Sequence, residues 1–257
     1  MRGVAAAILL TAFVLLTYGS QAAERTGGDG DLQGPLPPGI GARDSRIRVD
    51  PNSAPWRAIG RLQAASTNLR VLCTATLVGP STVATAAHCL YNRRTQYYFA
   101  PQSLHFLIGF SNSGYSGDAV GIGFEIADGY DPRRPKETIG SDWALVFLDQ
   151  RLGSNNRVLP IASEQPPDGA NVMLGGYQQD HPLLLIADIH CHIDGRVGDA
   201  SGRVLLHHNC AGTRGVSGAP LLIDTGRGWQ VVGIDVAAKP GVAEGVAAVL
   251  GNEWSPK

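Results

Sequence analysis

From residue 47 onward, Gly, Pro, Asn and Asp divide the chain into short runs rich in β-forming residues, and this pattern limits its fold more than any other feature. Residues 70–78 alternate between two faces, as a half-buried strand does. Further strands are predicted at residues 103–109, 144–148, 171–174, 183–193, 204–208, 219–223 and 230–237. Helical character is confined to the segment after His88 and the last residues. The pattern predicts an all-β chain, either a sandwich or barrels of antiparallel sheet.

The first 22 residues have the composition of a secretory signal peptide. Arg2 precedes an apolar run at residues 4–16, and small residues follow up to Ala22. A retained membrane anchor is the alternative, but this run is shorter than the roughly 20 apolar residues that span a bilayer. We therefore expect a secreted or periplasmic protein with no stable membrane anchor after signal cleavage.

Residues 23–46 are rich in Gly, Pro and Asp and contain few apolar side chains. Such a segment cannot bury enough surface to offset the entropy cost of ordering it, so we expect a flexible leader or propeptide. Residues 47–257 then form one domain of about 210 residues, a length that a single all-β domain commonly fills. No internal repeat interrupts it, and we expect a monomer.

The charge balance bears on the class of partner. The chain carries 21 Lys and Arg residues against 22 Asp and Glu residues, for a formal net charge of −1. No stripe of basic residues stands out, so we do not expect nucleic-acid binding. A protein or peptide partner fits this surface better.

Four cysteines lie in the expected folded part of the chain. In an exported protein they predict two disulfides, for which three pairings are formally possible. The local spacings favour Cys73 with Cys89 and Cys191 with Cys210. Each bond would close a short loop and stabilise the fold by about 3 kcal/mol in the chain-entropy model.

Two short peptides supply a candidate base and a candidate carboxylate. His88 follows small alanines and precedes Cys89, so a covalent staple could hold its imidazole in the single orientation that a general base needs. Asp142 opens the apolar run 143–148 and, at the mouth of a buried strand, requires a partner such as a histidine N–H. The alternatives are a histidine that merely lies beside a disulfide and an ordinary turn aspartate.

A third peptide, residues 215–220, supplies a candidate nucleophile. Ser217 lies between Gly215 and Gly218, and these glycines let the backbone bend so that the hydroxyl projects. The amides of Gly215 and Ser217 can then converge on a developing oxyanion. A serine flanked by glycine is common, but a histidine, an aspartate and a serine in this order favour acyl transfer.

With these motifs the sequence resembles the trypsin or chymotrypsin family of serine endopeptidases over residues 47–250. The stretch 73–89 is similar to the family's histidine-loop disulfide, residues 142–145 to its aspartate motif and residues 215–220 to its serine motif. The resemblance implies two six-stranded antiparallel β-barrels, with His88 and Asp142 on the first and Ser217 on the second. It also implies an acyl-enzyme mechanism that uses the His88, Asp142 and Ser217 triad and needs no metal or organic cofactor.

The sequence departs from animal members of the family just before the nucleophile. Those members carry an aspartate there, which pairs with a freshly cut N-terminus, whereas this chain has Val216. The Arg46-Ile47 bond is similar to an activation cleavage site, but valine cannot form that ion pair. We therefore predict that leader removal does not act through this switch, and the chain is closer in character to bacterial glutamyl-endopeptidase-like members.

The candidate specificity pocket also departs from the family pattern. Ala211 stands where trypsins place the aspartate that attracts Lys or Arg, and Ala237 lies on the strand that resembles the pocket edge. Asp235 falls where glutamyl endopeptidases place a histidine that meets an acidic side chain. We hypothesise that Asp235 disfavours glutamate and favours basic or small residues; the alternative is an outward-facing strand aspartate.

Two other interpretations are open. Histidines beside Cys191 and Cys210 could bind zinc, although His190 and His192 would face away from Cys191 on a strand, and a disulfide carrying surface histidines explains the cluster better. The fold could also serve a catalytically inactive binding protein. An esterase is disfavoured because Ala219 occupies the position where the usual nucleophile elbow has a second glycine.

Overall fold

The computed structural model describes residues 37–65 and 69–250. Within these ranges there are fifteen strands and four short 3-10 helices. The strands are β1 (Ile47–Arg48), β2 (Ile59–Ala65), β3 (Arg70–Gly79), β4 (Thr82–Thr85), β5 (Tyr91–Asn92), β6 (Tyr97–Tyr98), β7 (Leu104–Ile108), β8 (Gly117–Ile126), β9 (Ala144–Leu148), β10 (Asn171–Tyr177), β11 (Leu185–Gly198), β12 (Val204–His208), β13 (Pro220–Asp224), β14 (Trp229–Ala238) and β15 (Gly245–Ala248). The helices are Trp56–Ala58, Ala87–Leu90, Pro101–Ser103 and Ile139–Ser141.

Twelve of these strands form two closed antiparallel barrels of six strands each. The first barrel closes in the order β2-β3-β4-β9-β8-β7. The second has the order β11-β10-β13-β14-β15-β12 and closes through pairing of β11 with β12, while β1 adds to the free side of β11. This architecture confirms the predicted all-β class and the two barrels that the resemblance implied. The helical prediction after His88 corresponds to the single turn Ala87–Leu90.

Strand β3 is buried on both faces from Cys73 onward, although its sequence alternates as a half-exposed strand would. One face contributes Leu77 to the main apolar cluster. The other face presents Thr74, whose hydroxyl accepts a hydrogen bond from the Tyr177 amide at 2.9 Å and donates one to the Gly215 carbonyl at 3.0 Å. Because Tyr177 and Gly215 belong to the second-barrel half of the chain, β3 forms part of the contact between the barrels.

Packed structure begins before residue 47, the predicted start of the domain. Residues 37–46 were assigned to a flexible leader, yet Ile40 and the side chain of Arg46 are each only 1% exposed. Backbone and side-chain hydrogen bonds join this segment to the second barrel, so residues 37–46 are packed where the sequence predicted a flexible segment. The predicted signal peptide and residues 23–36 lie outside the described residues. None of the helices in the described ranges is long and apolar enough to cross a membrane.

Candidate active site

The pairing of β4 with β9 brings the candidate base and carboxylate together. These antiparallel strands are in register at Thr85 and Ala144, so the residues that follow β4 lie beside those that precede β9. His88 lies in the helical turn after β4, and Asp142 lies two residues before β9. Cys89, which directly follows His88, is bonded to Cys73 on β3, and this disulfide ties the helical turn to the first barrel.

Asp142 accepts two hydrogen bonds from His88. Its Oδ1 accepts the His88 backbone N–H at 2.8 Å, and its Oδ2 lies 2.7 Å from the ring Nδ1. The carboxylate is an acceptor only, so we assign the ring proton to Nδ1, which leaves Nε2 free to act as an acceptor. Asp142 is 3% exposed. Burial of the Tyr130 hydroxyl, together with the nearby Asp142 carboxylate, raises the pKa of Tyr130 well above its usual value. Tyr130 is therefore neutral.

The turn that contains Ser217 packs against the strands that lead to His88. The Ser217 carbonyl accepts the Thr74 amide at 2.9 Å and lies 3.8 Å from the sulfur of Cys89. Gly218 has φ +85°, and a Cβ there would lie 2.2 Å from the Thr74 carbonyl oxygen and 3.0 Å from the Ala86 amide nitrogen. Only glycine fits this contact. The structure thus brings Ser217 against residues on both sides of His88.

The candidate oxyanion donors are free. The Arg214 carbonyl accepts the Gln179 amide at 2.7 Å. The Arg214 C=O and the Gly215 N–H belong to one planar trans peptide and point in opposite directions, so the Gly215 N–H points away from Gln179. Within the described ranges, neither the Gly215 N–H nor the Ser217 N–H donates to another protein group. Ser217 Oγ likewise forms no hydrogen bond there, and catalytic bonds of this kind often tighten only when substrate binds.

The three predicted pocket residues differ in accessibility. Ala211 is buried and Ala237 is half-buried. Asp235 is only 1% exposed, and its Oδ1 lies 3.1 Å from Nε2 of His208, so the alternative of an outward-facing aspartate is wrong. Burial raises the pKa of the Asp235 carboxyl, against the opposing effect of the His208 ring. Asp235 and His208 therefore form a buried hydrogen-bonded pair within the second barrel.

Both predicted disulfides are present. Cys73 is bonded to Cys89, and Cys191 to Cys210 with a Cα–Cα distance of 4.9 Å. The sulfurs of Cys191 and Cys210 are thus committed to each other, which argues against the zinc interpretation. Among the described residues, the group with metal-like spacing is Cys73, His88 and Cys89, and its two sulfurs form the other disulfide.

Sequence reasoning missed the part played by Thr74. Its hydroxyl joins β10 to the candidate oxyanion loop, and its backbone holds the Ser217 carbonyl. The available signal was a threonine in the mostly apolar part of a strand, because a hydroxyl requires a hydrogen-bond partner when it is buried.

Two closed barrels with a histidine, an aspartate and a serine turn at their contact define a protein of the two-barrel serine-peptidase class. The family model named Trypsin matches residues 46–250, and the chain belongs to this family. It is 34% identical over 132 residues to a cercarial protease of Schistosoma mansoni; this region is 44% of the chain and 46% of the relative. The chain therefore matches less than half the length of that curated relative.

Solved structures show the same fold. A Glu endopeptidase in complex with MPD has a TM-score of 0.67 at 20% identity, with 83% of this chain and 94% of that chain covered. The protease Anisep of Arthrobacter nicotinovorans has a TM-score of 0.62 at 16% identity, with 80% and 94% covered. The thermostable serine protease AL20 from an extremophilic microorganism has a TM-score of 0.59 at 22% identity, with 76% and 92% covered.

Proposed function

We propose that this protein is an exported serine endopeptidase that uses His88, Asp142 and Ser217. One observation carries the proposal: Asp142 accepts hydrogen bonds from the backbone N–H and from the ring Nδ1–H of His88. These two bonds fix the imidazole with Nε2 directed away from the carboxylate. The family match and the curated relative named as a protease support peptide hydrolysis. Two disulfides support an oxidising compartment outside the cytoplasm.

In this mechanism His88 Nε2 takes the proton of Ser217 as Oγ attacks the peptide carbonyl. Asp142 stabilises the imidazolium that forms, and the amides of Gly215 and Ser217 stabilise the oxyanion of the tetrahedral intermediate. The imidazolium then gives its proton to the leaving amine, and the acyl group remains on Ser217. Water activated by His88 releases the acyl group and restores the enzyme.

We further propose that the pocket near Ala211, Asp235 and Ala237 disfavours acidic residues before the cleaved bond and favours basic or small ones. Ala211 supplies no charge, and at the position where glutamyl endopeptidases place a histidine this chain has Asp235, whose buried carboxyl is hydrogen-bonded to His208. A peptide-library cleavage profile tests this. A profile dominated by glutamate or aspartate before the cut would overturn it.

Labelling with a fluorophosphonate probe tests the catalytic proposal. We expect the purified protein to label once, Ser217→Ala to lose the label, and Ser163→Ala, an exposed serine replacement, to keep it. Persistent labelling of Ser217→Ala would show that the nucleophile is wrongly assigned. A folded wild-type protein that never labels would favour the inactive binding protein, and a protein that labels but cleaves only esters would favour the esterase.

A further inference from the structure

Residues 39–46, which we call the N-terminal strap, contact the backbone of the candidate pocket directly. The Gly39 carbonyl accepts the Gly212 amide at 3.1 Å. Gly39 has φ +87°, and a Cβ at this position would lie 1.9 Å from the Gly212 carbonyl oxygen and 2.9 Å from the Ala238 Cβ. No other residue type could make so close an approach without displacing the pocket segment.

The strap also reaches the amide on the N-terminal side of Gly212. Ala211 donates its N–H to Oδ2 of Asp188 at 2.9 Å, and the Ser45 hydroxyl donates to the same oxygen at 2.6 Å. Asp188 is 3% exposed and lies on β11. The strap thereby helps to fix the carboxylate that holds the Ala211 amide.

The amide on the C-terminal side has an equivalent link. Thr213 donates its N–H to Oε1 of Gln178 at 2.8 Å, and Arg46 donates to that oxygen at 2.6 Å. Gln178 is fully buried. Three consecutive pocket amides, at residues 211–213, are therefore bonded to the strap or to a side chain that the strap holds.

Arg46 is the fixed point of this arrangement. Its guanidinium pairs with Asp44 at 2.8 Å and with Asp180 at 2.5 Å, while its side chain is 1% exposed. Burial opposes the charge, but the two carboxylates outweigh it and raise the pKa of Arg46. A buried and paired charge resists displacement, because breaking the pair would leave its partners uncompensated.

We propose that the N-terminal strap, still joined to the domain, positions residues 211–215 and with them the Gly215 oxyanion donor, and that Arg46 is its main positioning residue. The Val216 amide bonds back to the Thr213 carbonyl at 3.0 Å, so Thr213 and Gly215 belong to one tight turn. Val216 is buried in the second apolar cluster and offers no carboxylate for a new N-terminus. In this chain the strap would do the positioning that an ion pair between a new N-terminus and an aspartate does in animal members of the family. This inference rests on the proposed function.

Arg46→Ala tests the inference. We expect kcat/KM on a peptide substrate to fall by roughly 10-fold to 100-fold, mainly through kcat, because a misplaced oxyanion donor weakens transition-state binding. Added guanidinium ion should restore part of the kcat that Arg46→Ala loses. The kcat/KM of Arg46→Lys should lie between those of the wild type and Arg46→Ala. Arg48→Ala, an exposed arginine replacement on β1, is the matched control and should leave kcat/KM unchanged.

A glycine pair provides a second test. Gly39→Ala introduces both a positive-φ strain and the clash with Gly212, whereas Gly169→Ala introduces the same strain at φ +79° with no atom within 4 Å. We expect only Gly39→Ala to lose activity. This pair keeps the inference testable if Arg46→Ala does not fold.

Hydrogen exchange separates this inference from the proposed function. In Arg46→Ala, the amides of residues 211–213 should exchange faster than in the wild type, whether or not the protein is a peptidase. Wild-type kcat/KM in both Arg46→Ala and Gly39→Ala would overturn the inference. It would also be overturned by higher activity in these variants, which would make the strap an inhibitory plug, or by an active purified protein whose N-terminus lies beyond residue 46.

Discussion

We expect Asp142→Asn to abolish nearly all activity by reversing the ring tautomer of His88. Asp142 accepts two N–H groups at once, from the His88 backbone and from Nδ1. The backbone N–H can only donate, so the asparagine oxygen must face it. The asparagine NH2 group then faces Nδ1 and forces Nδ1 to accept, which moves the ring proton to Nε2. A protonated Nε2 cannot take the proton of Ser217.

The expected loss is about 10⁴ in kcat, the size associated with the wrong tautomer in a serine, histidine and aspartate triad. This factor corresponds to about 5 kcal/mol in the activation barrier, since each tenfold change is about 1.4 kcal/mol. Stability should fall much less, by about 2 kcal/mol, because asparagine has nearly the same volume and keeps the bond to the backbone N–H. The loss of activity therefore exceeds what partial unfolding would cause.

The assay is kcat and KM from initial rates on a peptide chosen from the cleavage library, together with urea unfolding. Asp128→Asn is the control, because Asp128 is exposed and lies in the loop between β8 and β9. Its kcat should equal that of the wild type. A folded Asp142→Asn protein whose kcat stays within about tenfold of the wild type would refute the assignment of Asp142 as the group that fixes the tautomer.

Three further outcomes follow from single contacts. Replacing Cys73 and Cys89 together by serine should lower the free energy of unfolding by about 3 kcal/mol, because their bond closes a loop of 16 residues; an unchanged urea midpoint would contradict this. Ile47→Gly should keep its activity in the peptide assay, because the Ile47 backbone pairs with β11 and no carboxylate awaits a new N-terminus; an inactive but folded variant would revive the ion-pair switch. Partial burial raises the pKa of Asp199, but hydrogen bonds, among them that from the Gly140 amide, outweigh it and lower the pKa below 3.8. The stabilisation by Asp199 is thus present above pH 3.8 and lost at lower pH, so the stability deficit of Asp199→Asn in urea should shrink from about pH 5 to about pH 2.

Strands with a dense apolar or β-branched pattern were predicted well from the sequence. The predicted bounds of β9 and β12 agree with the structure at both ends. The strands that were not predicted include β2, β8 and β15 of the barrels. Strand β8 is interrupted by Gly117, Gly121 and Gly123, and β15 consists of glycine, valine and two alanines, so the local strand signal of each is weak. Both are strands because neighbouring strands supply partners for their backbone groups.

The same difference between local and distant causes applies to the candidate site. His88, Asp142 and Ser217 stand in short motifs that local residue types make visible. Gln178 and Asp188 have no such motif, and their importance comes from the backbone amides that the fold brings to them. The strap was assigned to a leader because average composition hides Gly39, whose close approach to Gly212 depends on the folded barrel.

The candidate site depends on the contact between the barrels as much as on either barrel alone. Asp142 and His88 are fixed within the first barrel, whereas the turn of Ser217 precedes β13 of the second. Thr74 is the link, because its amide holds the Ser217 carbonyl and its hydroxyl holds the Gly215 carbonyl. The strap accepts the Gly212 amide directly and bonds to Asp188 and Gln178, the side chains that accept the amides of residues 211 and 213. The loop from residue 211 to residue 218 is thus held by Thr74 of the first barrel and by the strap as well as by side chains of its own barrel, so we expect its geometry to be more sensitive to substitution than the fold of either barrel.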